Sequence, residues 1–242
     1  FTALFRNPVF PKLIGNTFIL AVYTLIASFP LPIILAIMLN EVRLRFFTRT
    51  VQLVTYAPYF ISTVVIVSMT ILLLSPRVGI LGRTLSFFGA GQVDLLASAD
   101  FFRHIYVATD IWTTTGYSAV IYLAALASVD TSLYEAAKID GASRLQKIWY
   151  VDLPSLLPTA TIILILGVGN IMAIGFEKAF LLQNALNLST SEIIPTYVYK
   201  TGILNANFSL GATIGLFNAV ISLLLLLVVN GISKRVTGSG LW

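Results

Sequence analysis

The 242-residue chain is 57% hydrophobic and 10% charged, with a formal net charge of +5 and no cysteine. A soluble globular domain carries about 25% charged residues, so this composition excludes water as the main solvent. The missing thiols exclude disulfides, thiolate metal sites and cysteine nucleophiles. The basic residues are scattered over every loop, which points to membrane topology and lipid head groups and not to nucleic acid.

Five windows are free of charge: Leu13–Asn40, Thr50–Pro76, Ile111–Val129, Leu153–Phe176 and Thr201–Ser233. A hydrocarbon core of ~30 Å needs about 20 apolar residues in a helix. Lipid leaves no partner for exposed backbone groups, so such windows are helices or strands of a closed barrel. They are too long, and too poor in apolar/polar alternation, for barrel strands. The expected fold is an all-α, multi-pass membrane protein.

In chain order, the first helix covers about 13–39, with Pro30 and Pro32 removing backbone donors and predicting a kink. A basic hinge, Glu41 to Arg49, precedes a second helix over about 51–74, with Pro58 near its start and a stop at Ser75-Pro76. A glycine-rich polar segment with Asp94 and Asp100 leads to a third helix, about 103–127. After a charged loop, a fourth helix of about 155–177 is entered through Pro154 and Pro158. A polar stretch, 178–207, leads to the fifth helix, about 208–231, and a basic tail with Lys234 and Arg235. No cleavable leader is expected, because the first apolar run is too long and lacks a basic flank.

The loop between the third and fourth helices carries Asp130, Glu135, Lys138, Asp140, Arg144, Lys147 and Asp152. Thr131 or Ser132 can cap a short helix there, with Glu135 in the capping-box position. Gly141 can adopt positive φ, ending that helix and turning the chain. A second short helix over Ser143–Val151 would put Leu145, Ile148 and Trp149 on one face, with Pro154 halting it. Periodicity alone leaves two readings open, an interfacial helix on the head groups and a folded knob that docks onto a partner.

Polar and aromatic residues within the lipid-length runs are functional candidates. Asp110, Trp112, Tyr117, Asn170, Glu177 and Asn218, at the ends of or within those runs, are candidates to line a path for a solute. The structural alternatives are interfacial anchoring for Trp112, interhelical bonds for Asn170 and Asn218, and a Glu177–Lys178 pair at the membrane surface. His104 has no second histidine or cysteine to share a metal, so no metal site is expected. No glycine-rich phosphate loop is present, so the chain does not bind ATP. An intramembrane hydrolase would need a nucleophile and base that are missing here.

The segment Glu135-Ala136-Ala137, with Asp140-Gly141-Ala142-Ser143, Leu153-Pro154 and Pro158, resembles the "EAA" loop of binding-protein-dependent ABC importer permeases. The likeness runs along the chain, through Asn7-Pro8, Asn16-Thr17, Asp110-Ile111-Trp112 and Tyr122 to Leu126. Gly169-Asn170, Gly175-Phe176-Glu177 and Thr196 to Tyr199 are similar to the branch that handles complex oligosaccharides, including acidic ones such as alginate. Asp130 departs from the pattern, where relatives carry proline.

The resemblance implies a type I ABC importer permease fold with five transmembrane helices, a sixth lying upstream of Phe1. It implies one permease domain over 1–242, with a cytoplasmic coupling loop at 130–154. Glu135, Ala136, Ala137, Asp140, Gly141, Leu153 and Pro154 would couple to an ATPase. The implied partners are a second homologous permease subunit (a heterodimer), two ATP-binding subunits carrying ATP-Mg, an extracytoplasmic solute-binding protein and membrane lipids; the chain would bind no cofactor itself. The implied place is the bacterial cytoplasmic membrane, with the loop and C-terminus inside. That orientation puts eight Lys and Arg inside and seven outside, in the sense of the positive-inside rule. The implied function is import of an oligosaccharide, an acidic one such as a uronate oligomer included, by alternating access. A permease for another small solute, or a transporter or channel needing no ATPase, is the alternative.

Overall fold

The computed structural model describes residues 2–42, 44–80, 84, 94–237 and 240. Among them every regular element is helical. Helix α1 (Thr2–Arg6) precedes α2 (Phe10–Ser28) and α3 (Pro30–Glu41). Pro30 and Pro32 fall in the first turn of α3, where missing donors are cheapest. The break they cause is one residue, Phe29, whose backbone stays right-handed helical, so Phe10–Glu41 runs on as one 32-residue span.

The second expected helix is instead two. Helix α4 (Arg45–Tyr56) passes into a 3-10 turn, Ala57–Phe60, and α5 (Thr63–Leu74) starts afresh. Pro58 lies in the 3-10 turn, and the Ser62 hydroxyl accepts the Val65 N–H as an N-cap. Helix α6 (Ala99–Ala127) is the expected third helix, one turn longer at its start. Helix α7 (Thr131–Ile139) lies in the charged loop.

Helix α8 (Arg144–Gly169) contains a π-turn, Ile148–Asp152, and ends eight residues earlier than the sequence suggests. A 3-10 turn, Ile171–Ala173, separates it from α9 (Phe176–Leu182). Two short helices follow, α10 (Leu188–Ser191) and α11 (Ile194–Val198), then a π-turn, Tyr199–Leu204, and the long α12 (Phe208–Thr237).

Among the described residues three helices, Phe10–Glu41, Arg144–Gly169 and Phe208–Arg235, are long and apolar enough to cross a membrane. The number is five if each of two broken pairs, Arg45–Phe60 with Thr63–Leu74 and Ala99–Ala127 with Thr131–Ile139, is one span. Hydroxyls in the apolar helices bond back into their own helix, as Thr24 does to Leu20, Thr55 to Val51 and Thr70 to Ile66. That removes the cost of an unpaired polar group in lipid.

The described residues form two compact units. The first lies within Phe1–Leu25, Phe60–Asp110 and Asn170–Leu224, the second within Ile26–Tyr59, Ile111–Gly169 and Leu225–Trp242. In the first, Asn16 on α2 donates to the carbonyls of Ser189 and Glu192 and accepts from Arg103, each at 3.0 Å. Thr17 takes the Ile194 N–H at 2.9 Å. These bonds pin the short helices α10 and α11 to α2. In the second unit Ala36, Ala119 and Ala160 let α3, α6 and α8 close around Ile37, Tyr122, Leu126 and Leu156.

Candidate functional site: the loop between helices 6 and 8

Asp130 caps α7, not Thr131 or Ser132: its carboxylate accepts the Ser132 N–H at 2.9 Å. The capping side chain can come from the residue before either hydroxyl because an Asx turn needs only two following residues. The same bond holds the Asp130 carboxyl below its ordinary pKa. At the other end, Gly141 has φ +75°, as the turn requires. Its N–H donates to Lys138 and that of Ala142 donates to Ala137, the two bonds of a Schellman turn. Ser143 and Gln146 then form a reciprocal capping box that starts α8.

Pro154 does not halt this second helix. In the π-turn the Leu153 N–H reaches back five residues to Ile148, widening the turn. That makes room for a proline ring that an α-turn would press against the carbonyl four residues back. The loop is therefore continuous with an apolar span.

Helix α7 buries none of its residues. Ile139 is 86% exposed, Leu145 77%, Tyr150 74% and Trp149 67%. The expected face of Leu145, Ile148 and Trp149 is split, because Ile148 turns inward onto the core around Tyr122 and Leu156. Glu135, Ala136 and Asp140 are exposed, and Ala137 is half-buried. What results is a rigid, capped knob with charged and large apolar side chains facing outward. Surface of that kind marks a contact with a partner protein or with the membrane surface.

One contact was not foreseen. The Tyr134 hydroxyl on α7 donates to Asp152 at 2.5 Å, and the Asn40 side chain of α3 also bonds Tyr134. Burial and the Asp152 carboxylate push the Tyr134 pKa up. The sequence showed only a tyrosine and an aspartate 18 residues apart, a separation with no periodic meaning.

The proposed path residues fall in separate surroundings. In the first unit, Asp110 on α6 pairs with Lys178 on α9, and the Lys178 ammonium lies 4.3 Å from the centre of the buried Tyr106 ring. Lys178 thus pairs with Asp110 and not with its neighbour Glu177, which is exposed in the first turn of α9. Neighbours in a helix point about 100° apart and cannot face one another. Asn170 follows the end of α8, and neither it nor Glu177 lies on the fourth helix as expected. Asn218 on α12 lines a cavity of about 400 Å³ with Met172, Pro195, Val198 and Ser222, and its Oδ1 is buried without a hydrogen bond.

In the second unit, Trp112 borders an apolar cavity of about 430 Å³ with Leu31, Met38, Val54 and Pro58. Tyr117 stacks on Tyr59 with ring centres 3.9 Å apart, a partner the sequence did not suggest. His104, in the first unit, meets the Tyr23 hydroxyl through Nδ1 at 2.9 Å.

Residues 28–238 match the family described as binding-protein-dependent transport system inner membrane component. The chain is 39% identical over its whole length to the polygalacturonan/rhamnogalacturonan transport system permease protein YteP of Bacillus subtilis, covering 75% of it. It is 38% identical, again over its whole length, to protein LplB of the same organism, covering 76% of that protein. Among solved structures it is similar to a bacterial ABC transporter involved in the import of the acidic polysaccharide alginate. The match has a TM-score of 0.94 at 37% identity, over 98% of this chain and 82% of that one. A bacterial alginate ABC transporter in complex with an alginate pentasaccharide-bound periplasmic protein matches with a TM-score of 0.95 at 37% identity, over 99% and 83%.

Proposed function

Because this chain belongs to the family of binding-protein-dependent transport system inner membrane components, transport subunits and not enzymes, we propose that it is one membrane subunit of an ATP-driven oligosaccharide importer. The observation that carries the reading is the exposed knob of α7 and the start of α8. Its capped ends make it rigid enough to transmit force, and its outward apolar residues fit the cleft of a separate ATPase. Glu135, Ala136, Ala137, Asp140 and Gly141 form the docking helix and its turn. Leu153 and Pro154 carry the motion into α8. A second permease subunit, two ATP-binding subunits with ATP-Mg and an extracytoplasmic binding protein complete the assembly. The loop and C-terminus face the cytoplasm, within one permease domain that includes the coupling loop at 130–154.

ATP-driven closure of the ATPases draws the two knobs together and rocks the helices between outward and inward access. The cargo is an acidic oligosaccharide of uronate type. Relatives named for polygalacturonan and for alginate support that choice. Asp110 supports it as well: Lys178 neutralises this carboxylate, so it does not repel a polyanion. Asp110, Trp112, Tyr117, Asn170, Glu177 and Asn218 remain the proposed lining of the path.

Purification in a gentle detergent tests the reading. A stoichiometric ATP-binding subunit is expected to travel with the chain, and its absence would favour a transporter that needs no ATPase. Calorimetry of the partner binding protein against neutral and uronate oligosaccharides then decides the cargo.

A further inference from the structure

Asp152 is placed where stability alone would not put a carboxylate. Its side chain is completely buried, and only one of its oxygens has a partner, the Tyr134 hydroxyl; Oδ2 is buried with no hydrogen bond. Buried charge is costly unless paired and fully bonded. An apolar residue of similar size would fill the same space at lower cost, but would leave the Tyr134 hydroxyl without its acceptor. Local rules are broken in this way chiefly where function needs it.

The surroundings suggest what the function is. Helix α7 buries none of its own residues, so its attachment to the rest of its unit is slight. Tyr134 and Ala137 alone on this helix are half-buried. Tyr134 reaches two elements at once, bonding Asp152 on α8 and Asn40 at the end of α3. Asp152 is also the last residue of the π-turn Ile148–Asp152, the one place in α8 where the helical register is displaced. Such turns frequently sit at functional sites. A rigid helix joined to a displaced register through a single short, strong bond has the form of a mechanical joint.

We propose that the Tyr134–Asp152 bond, set on the π-turn of α8, is the joint through which displacement of the docking helix α7 reaches the membrane-spanning helix α8. Both residues position other groups and touch no substrate or nucleotide. The inference rests on reading α7 as the ATPase-docking helix. The bond makes the two helices move as one body. Without it α7 follows the ATPase while α8 lags, and hydrolysis no longer drives transport.

The chain has no cysteine, so Thr131→Cys and Leu157→Cys, both exposed, provide a spin-label pair across the joint. In wild type the α7–α8 distance is expected to be narrow in the free chain in nanodiscs and unchanged between ADP- and ATP-loaded complexes. Tyr134→Phe and Asp152→Leu broaden it, and the broadening grows when ATP is added. Asp152→Asn keeps an acceptor for Tyr134 and restores the narrow distribution. In proteoliposomes supplied with binding protein and alginate pentasaccharide or tetragalacturonate, Tyr134→Phe lowers sugar imported per ATP hydrolysed about tenfold. Basal ATP hydrolysis and subunit assembly stay at wild-type level.

Wild-type distances in both Tyr134→Phe and Asp152→Leu would overturn the proposal. So would Asp152→Asn behaving like Asp152→Leu, or variants that fail to assemble with the ATPase, which would leave the bond a purely structural one. The measurement on the free chain needs neither ATPase nor sugar. A failed importer reading is therefore distinguishable from a failed joint.

Discussion

At Gly141 the turn after α7 demands φ +75°. A non-glycine residue pays roughly 1–2 kcal/mol for that backbone conformation. No neighbouring atom lies near its missing side chain, so the cost of substitution is conformational and not steric. Gly141→Val is expected to unwind the Schellman turn and abolish binding-protein-stimulated ATP hydrolysis, while circular dichroism keeps the helical signal of the membrane part. Asp110 and Lys178 have side chains only 21% and 11% exposed. Removing one partner of a buried pair leaves the other charge uncompensated, at a cost of about 3–5 kcal/mol. Asp110→Asn should therefore lower the unfolding temperature by fluorescence, and Asp110→Leu with Lys178→Met should recover most of the loss. Gly141 was legible in the sequence because its role is local. The Asp110–Lys178 pair was not, since 68 residues separate the two and Glu177 offered a nearer, geometrically impossible alternative.

Among the elements, α6 approaches α4 so closely that a Cβ on Gly116 would lie 2.0 Å from the Thr55 carbonyl oxygen. Gly116→Ala must push the two helices apart, costing about 1–3 kcal/mol as overpacking does, and the Tyr59–Tyr117 stack beside it should loosen. Thermal unfolding and tyrosine fluorescence read the two effects. Helix α7 has a pH window set by its own bonds. Tyr134 has a raised pKa, so its contribution is complete below the ordinary value of 10.0 and fades as pH rises above it. Asp130 has a lowered pKa, so its cap is complete above 3.8 and fades as pH falls below that value. A nitroxide at Thr131→Cys is expected to be least mobile between these limits and more mobile beyond either.

The elements also show where sequence patterns fall short. Hydropathy located the apolar runs but is blind to caps, so it merged α4 and α5 across Ser62, although Pro58 and the Ser62 cap were both written there. Proline rules predicted a stop at Pro154, because a π-turn upstream that absorbs the ring leaves no mark in composition. The charged loop itself stood out, since charges between membrane-length runs have to lie outside lipid. The Tyr134–Asp152 contact did not, because only the fold sets its partners.

For the whole molecule, the fold places the charged loop and the basic end of α12 in the same compact unit, within Ile111–Gly169 and Leu225–Trp242. With both on the cytoplasmic side, thiols introduced at Lys138→Cys and Lys234→Cys should react with an impermeant maleimide in inside-out vesicles and stay silent in intact cells. Labelling of either from outside would overturn the orientation.

Helix α7 makes no claim on the core of its own protein. Apart from Tyr134 and Ala137 its residues do not face inward, so those on its outer surface answer to whatever receives them. On the proposed reading, the span behind it is selected by lipid and cargo, and the outer face of the short helix by the engine. Two sets of demands thus meet at Tyr134, the residue of the helix that bonds the span behind it. A permease built this way can change engines by exchanging the outer face of a plug, provided that Tyr134 stays in place behind it.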